Sequence, residues 1–130
     1  MADFGGQIRF TYDGNAITIR GKVEIEPGDF TYAVEHNQNG TFDRMTTPQG
    51  PTADVDFVDT KDGVSAQSLP WNAIMAGGPY NIAILEDSNG VIHQFSAAKF
   101  IGRTKIDRLK GQVTGVTIQA PVGGYKQLTA

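Results

Sequence analysis

The feature that most constrains this chain is a two-residue alternation of apolar and polar side chains, repeated along most of its length. Ile8, Phe10 and Tyr12 alternate with Arg9 and Thr11; beyond Asp13-Gly14-Asn15, Ile17, Ile19, Val23 and Ile25 alternate with Thr18, Arg20, Lys22, Glu24 and Glu26. A strand sends successive side chains to opposite faces, so this pattern builds strands with one buried and one solvated face. Asp-Gly favours the positive backbone torsions of a tight hairpin. The opening is therefore predicted to be a β-hairpin with a long second strand, ended by Pro27-Gly28.

The alternation resumes at Phe30, Tyr32 and Val34, and after His36-Asn37-Gln38-Asn39-Gly40 a polar run from Thr41 to Thr47 returns. This second hairpin holds too few apolar residues to bury itself, which predicts an arm that projects and packs on another chain. Ala53, Val55 and Phe57 then alternate with Asp54 and Asp56, up to Lys61-Asp62-Gly63. One helix is expected, around Ser65 to Ala76, with Ser65 or Ser68 as cap, Pro70 in its first turn, Leu69, Ala73 and Ala76 on a common face, and Gly77-Gly78-Pro79 as its stop. A further hairpin follows, Tyr80 to Asp87 and Val91 to Ala98 about Ser88-Asn89-Gly90. Two more extended runs lie near 100–106 and 113–118. The Gly-rich tail, 121–130, is expected to be loose or held by a neighbour.

Strands, one helix, then strands predict a mainly β fold: a small β-sandwich or barrel with one flanking α-helix and a projecting β-hairpin arm, in a single domain over 1–130. At 130 residues, 39% hydrophobic and 19% charged, the chain is rich in polar turn residues and its core is modest, so burial by neighbours would help it. Charge is uneven. From Lys22 to Asp62 three basic residues meet nine acidic ones (3 − 9 = −6), and from Lys99 to Lys110 five meet one (5 − 1 = +4). Regions of opposite sign can bring copies of one chain together. The net charge of −3 argues against general affinity for nucleic acid or membrane surfaces. No stretch approaches the roughly 18 apolar residues of a membrane span, and the opening residues carry no basic leader or apolar segment, which predicts a cytoplasmic chain.

Reactive chemistry is sparse. There is no cysteine, which removes disulfides and thiolate sites, and the two histidines, His36 and His93, fall in different hairpins. A zinc site or an acid–base pair needs several convergent ligands. Asp54, Asp56, Asp59 and Asp62 before Gly63 give a superficial calcium-loop pattern, but no Glu closes it at the required distance. No nucleophile elbow, phosphate loop or dinucleotide fingerprint is present. Glu24 and Glu26 share the polar face of one strand, which suits a solvated or pore-lining role better than a glycosidase pair. Lys99, Arg103, Lys105, Arg108 and Lys110 lack the interleaved aromatics of a single-strand platform. The expectation is a protein that is not an enzyme and holds no cofactor or metal.

The layout resembles the tail tube proteins of tailed phages, the short Mu-type and similar myophage families, and through them the rings of type VI secretion systems and pyocin tubes. The segments that carry the resemblance are Ile8 to Gly14, Ile19 to Ile25, Gly50-Pro51 leading into Ala53 to Asp59, the helix with Leu69 and Ile74, the Tyr80 to Leu85 and Asn89 to Ala98 hairpin, and Gly111 to Ile118. The long polar hairpin tip and the Gly-rich tail depart from the Mu-type pattern. The resemblance implies a structural subunit of a virion tail, assembled in the host cytoplasm. Its hexameric rings would stack into a tube through which DNA passes without specific binding, and its partners would be itself, with the tail sheath, baseplate and tape-measure proteins. In that frame Phe30, Tyr32, His36, Asn37, Asn39 and Arg44 are candidates for subunit and ring contacts, and Glu24, Glu26, Asp54 and Asp56 for the lumen wall. The competing reading is a monomeric β-sandwich binding module for carbohydrate or protein, with Trp71, Tyr12, Tyr32 and Tyr80 as a sugar platform.

Overall fold

The computed structural model describes residues 6–60 and 67–129. Strands β1 (Ile8–Tyr12), β2 (Asn15–Ile17) and β3 (Ile19–Glu26) open the chain. An arm of β4 (Phe30–His36) and β5 (Phe42–Pro48) precedes β6 (Thr52–Val58). The helix α1 (Trp71–Ala76) is followed by β7 (Tyr80–Glu86), β8 (Val91–Ile101), β9 (Lys105–Asp107), β10 (Gln112–Thr114), β11 (Thr117–Gln119) and β12 (Tyr125–Thr129). Ten strands form one sheet in the order β2-β1-β7-β8-β11-β6-β10-β9, with β12 added to β8 and β3 to β6, while β4 and β5 pair only with each other. The fold is the expected one: mainly β, barrel-like, with one short helix.

The sheet curls because a single stretch, Asn15 to Glu26, serves both ends of it. Its first three residues pair with β1 and its remainder with β6. The break falls at Thr18, whose carbonyl accepts the Val58 N–H at 2.9 Å. Edges that would otherwise invite other strands are thereby largely used within the chain.

The alternation sorts the faces. Along β6, Ala53, Val55 and Phe57 are buried while Thr52, Asp54, Asp56 and Val58 turn outward. The core holds Phe10, Phe57, Ile82, Ile84, Phe95, Phe100, Val113 and Ile118. Phe10 and Phe57 meet edge to face at 4.8 Å. In β8 the buried positions are Phe95, Ala98 and Phe100. The step of three from Phe95 to Ala98 breaks the two-residue period. A register shift against β7, with Ala97 at φ 54°, absorbs the extra residue and returns Ala98 and Phe100 to the core.

Three expectations are corrected. The helix is shorter than expected, beginning at Trp71 with Pro70 in the capping position and no side-chain cap. Ser65 lies outside the described residues, and Ser68 instead donates its hydroxyl to Asp59 at 2.9 Å. The C-terminal segment is not loose: Tyr125 to Thr129 pairs with Val91 to Phe95 of the same chain. The late extended runs are also cut differently, since β8 itself continues to Ile101 and the run near 113–118 is split into β10 and β11.

Candidate assembly interface

The arm stands apart from the core. All seven residues of β4 and all seven of β5 are exposed. The register sets Phe30 opposite Pro48, Tyr32 opposite Thr46, Val34 opposite Arg44 and His36 opposite Phe42. Directly paired residues share a face, so Phe30, Tyr32, Val34, His36, Phe42 and Pro48 form one largely apolar surface. Thr31, Ala33, Glu35, Asp43, Met45 and Thr47 form the other. The Arg44 guanidinium lies 4.6 Å from the centroid of the Tyr32 ring, the only cation among residues 28–50.

Of the residues expected to make ring contacts, Phe30, Tyr32, His36 and Arg44 fall on this apolar face. Asn37 and Asn39 do not. They shape the turn: Asn37 Nδ2 donates to Thr41 Oγ1 at 3.1 Å and to Asp43 at 3.2 Å, while Asn39 Oδ1 accepts from the Thr41 hydroxyl at 2.6 Å. Val34 and Phe42, 51% and 63% exposed, belong to the face and are absent from that set. Val34 was visible in the alternation. Phe42 was obscured because its strand, Phe42–Pro48, has no apolar alternation, and only the register shows which face it joins.

The root of the arm is fastened to the body. The backbone N–H groups of Gln49 and Gly50 donate to the Asp29 carbonyl at 2.9 and 3.0 Å. The Gln119 side chain donates to the Gln49 carbonyl at 2.6 Å, and Thr31 bonds the Gln49 side chain. Gly50 has φ +79° and its backbone lies so close to the body that a β-carbon there would stand 2.3 Å from the Ala120 carbonyl oxygen. Exposed arm and buried core are thus joined by a defined junction.

The four acids expected at a lumen also meet on one surface. Glu24 is directly opposite Asp54 and Glu26 opposite Thr52, with Asp56 on the same outward face of β6. Two carboxylates paired across strands repel each other. Asp54 is eased by the Thr117 hydroxyl, which donates to it at 2.6 Å, and Glu26 by that of Thr52 at 3.2 Å. No cation forms an ion pair with any of the four among the described residues. The basic run is less segregated than its sequence implies. Through the register Glu26–Thr52–Gln119–Lys99, Lys99 shares this face three strands away, and Arg108 is bound to Asp59 at 2.5 Å.

Two polar clusters lie elsewhere. Asp59, 3% exposed, takes Arg108, which also donates to Ser68 at 2.9 Å; this is a structural clamp over the segment after β6. It removes Asp59 from the calcium-like pattern, and Asp62 lies outside the described residues. His93 sits between Glu86 and Tyr125, its Nε2 2.6 Å from Glu86 and its Nδ1 2.7 Å from the Tyr125 hydroxyl. An ionised Glu86 only accepts, so the His93 Nε2–H donates to it. The bond from His93 holds the Glu86 carboxyl below its ordinary range, and burial pushes the Tyr125 phenol up. Among the described residues no group of three or more His, Cys, Asp or Glu is arranged to hold a metal. None of their helices is long and apolar enough to cross a membrane.

The four aromatics of the sugar-platform reading do not converge. Trp71 is buried with its ring 5.5 Å from Phe57, Tyr12 and Tyr80 pack edge to face at 5.4 Å against the core, and Tyr32 is on the arm.

No protein-family model and no curated protein matches the chain. Among solved structures it is similar to the sheath/tube terminator of an extracellular contractile injection system, PVC, in the extended state. The likeness covers 99% of this chain and 100% of that one, with a TM-score of 0.52 and 11% sequence identity. At that identity the shared property is the fold, which here extends over the whole of both chains.

Proposed function

We propose that this protein is a structural subunit of a tail-like tube, and that it works by associating with copies of itself. The observation that carries this reading is the arm: a hairpin exposed over both strands, apolar on one face and anchored at its root. An apolar face of this kind in water is stabilised by a partner. The fold it shares with a contractile-system terminator supports the same role. In this reading six copies close a ring of 6 × (−3) = −18 formal charges, rings stack, and sheath and baseplate proteins join the assembly. The strip of Glu24, Glu26, Asp54 and Asp56 faces the lumen, where like charge keeps the phosphates of passing DNA from binding. The likeness to a terminator supports a second reading, in which one ring caps a tube and does not propagate.

Negative-stain microscopy of the purified chain tests both. Stacked tubes support the tube subunit, and isolated rings support the terminator. A population that stays at 14.0 kDa at high concentration overturns both and returns the chain to the class of monomeric binding modules.

A further inference from the structure

Asparagine precedes glycine twice in the chain, at Asn39-Gly40 and Asn89-Gly90. A glycine nitrogen has no β-carbon beside it, so it can approach the side-chain amide of the residue before it and displace ammonia. The structure gives the two amides opposite surroundings. At the tip of the arm, Asn39 Oδ1 accepts from the Thr41 N–H at 3.1 Å and from the Thr41 hydroxyl at 2.6 Å. Asn37 Nδ2 donates to that same hydroxyl at 3.1 Å, which leaves the Thr41 proton for Asn39. Two donors on the amide oxygen draw electrons from Cγ, and they are already aimed where negative charge would collect. The Asn39 amide nitrogen, which would leave, bonds to none of the described residues.

Asn89 is held the other way round. Its Nδ2 donates to Glu86 Oε1 at 3.1 Å, and no donor among the described residues reaches its amide oxygen. A carboxylate on Nδ2 anchors the leaving nitrogen and pushes electrons toward Cγ. Both glycine nitrogens are tied, Gly40 to the Asn37 carbonyl at 3.1 Å and Gly90 to the Glu86 carbonyl at 2.9 Å, so each turn must open before attack. Opening costs less at the arm tip. Residues 37–41 are all exposed, at the end of a hairpin paired only with itself, whereas the Asn89 turn joins β7 and β8 of the main sheet. The approach is also clear, since a β-carbon on Gly40 would meet nothing within 4 Å.

We propose that Asn39 is a self-modifying site, deamidated by attack of the Gly40 nitrogen with Thr41 as the oxyanion donor. The Gly40 nitrogen bonds to Cγ and its proton passes to hydroxide or another base in the solvent. The former Oδ1 takes the negative charge under the Thr41 N–H and hydroxyl. The Cγ–Nδ2 bond then breaks, and ammonia leaves with a proton from water. Water opens the cyclic imide at either carbonyl, leaving aspartate or isoaspartate at position 39. The product adds one negative charge to the arm, taking residues 30–48 from 1 − 2 = −1 to −2. The new carboxylate lies near Asp43, which is bonded to Asn37 at 3.2 Å. The site is complete within one chain and does not depend on the assembly reading.

The purified chain is incubated at mildly alkaline pH, folded or in urea, then digested, and conversion at positions 39 and 89 is followed by mass spectrometry of the same digest. Asn89 thereby serves as the reference within each sample. In the folded chain Asn39 is expected to convert the faster, and in urea, where both are plain Asn-Gly pairs, the difference should vanish. Thr41→Val removes the hydroxyl but keeps the branched shape and the N–H, and it is expected to slow Asn39 about tenfold while Asn89 is unchanged. Thr41→Ser, which keeps the hydroxyl, should retain the wild-type rate. Equal rates at the two positions in the folded chain overturn the site. A difference that persists in urea belongs to the local sequence and overturns the structural assignment. A Thr41→Val rate equal to or above that of the wild type overturns the role of the hydroxyl.

Discussion

The carboxylate of Asp29 accepts a hydrogen bond from the backbone N–H of Gly123 at 3.0 Å, tying the root of the arm to the turn before the last strand, 94 residues later in the chain. This one contact couples the exposed hairpin to the C-terminal segment. Asp29→Ala is expected to cost about 1 kcal/mol and lower the melting temperature by a few degrees. Hydrogen exchange should speed up at Gly123 and at the first arm residues. Unchanged exchange at both places would show that the remaining root bonds hold the arm without it.

Phe57 is fully buried, between Phe10 and Trp71. Phe57→Ala leaves a cavity beneath the helix and is expected to cost about 3–5 kcal/mol, a large part of the stability of a domain this size. Urea denaturation should show a sharply lower midpoint, with the fluorescence of Trp71, the only tryptophan, reporting the loosened contact.

Val34 offers the opposite behaviour. It is half exposed and touches no core residue, so Val34→Asp should change stability by less than about 0.5 kcal/mol. Self-association should nevertheless be lost, because the substitution puts a charge in the middle of the apolar arm face. Sedimentation velocity beside a thermal melt reads the two effects separately. Assembly at wild-type concentration would remove this face from the contact.

The Glu86–His93–Tyr125 cluster ties β7, β8 and β12 together and gives stability a pH dependence. The folded-state pKa of Glu86 lies below its ordinary value of 4.5, chiefly through the bond from His93. The contribution is therefore fully present above about pH 4.5 and is lost as pH falls through the lowered folded value. Glu86→Gln should flatten this part of the profile in denaturation midpoints measured from pH 6 to pH 3. A variant with the same acid slope as wild type would place the dependence on other carboxylates.

The acid strip is tested by reversing it. Replacing Glu24, Glu26, Asp54 and Asp56 with Lys changes the formal charge from −3 to −3 + 8 = +5 per chain. If the strip lines the channel, assembled variant tubes should retain DNA in a salt-dependent manner while wild-type tubes do not. Equal retention by both would move the strip off the channel.

Much of the fold was legible because alternation is a local signal with a direct geometric cause. The β6 pattern, the outward turn of Asp54 and Asp56, the opening hairpin and the exposed arm all follow from which side chains a strand must turn away from water. The same local signal failed at Phe95 to Phe100, where the phase changes and only pairing with β7 shows a bulge. It failed again at the C-terminus, where Tyr125 to Thr129 is too short and too polar to announce a strand and becomes one because β8 offers an open edge. The helix start was misjudged because Ser68 is a good cap by type, yet in three dimensions it lies beside Asp59 and Arg108, and a hydroxyl bonded there cannot cap.

The sequence by itself therefore determined the class of element at nearly every point, the polarity of each strand face, and, with no cysteine, the lack of any thiol group, since these depend on residue type and short spacing. Only the tertiary structure decided which faces meet. Glu24 became the neighbour of Asp54, Phe42 joined Tyr32 on one side of the arm, and Pro48, Ile101 and Val122 formed one groove, because strand register and the closing stretch from Asn15 to Glu26 set those long-range positions. A one-residue change in register sends every side chain of a strand to the other face, and no local pattern encodes which strand will be its partner.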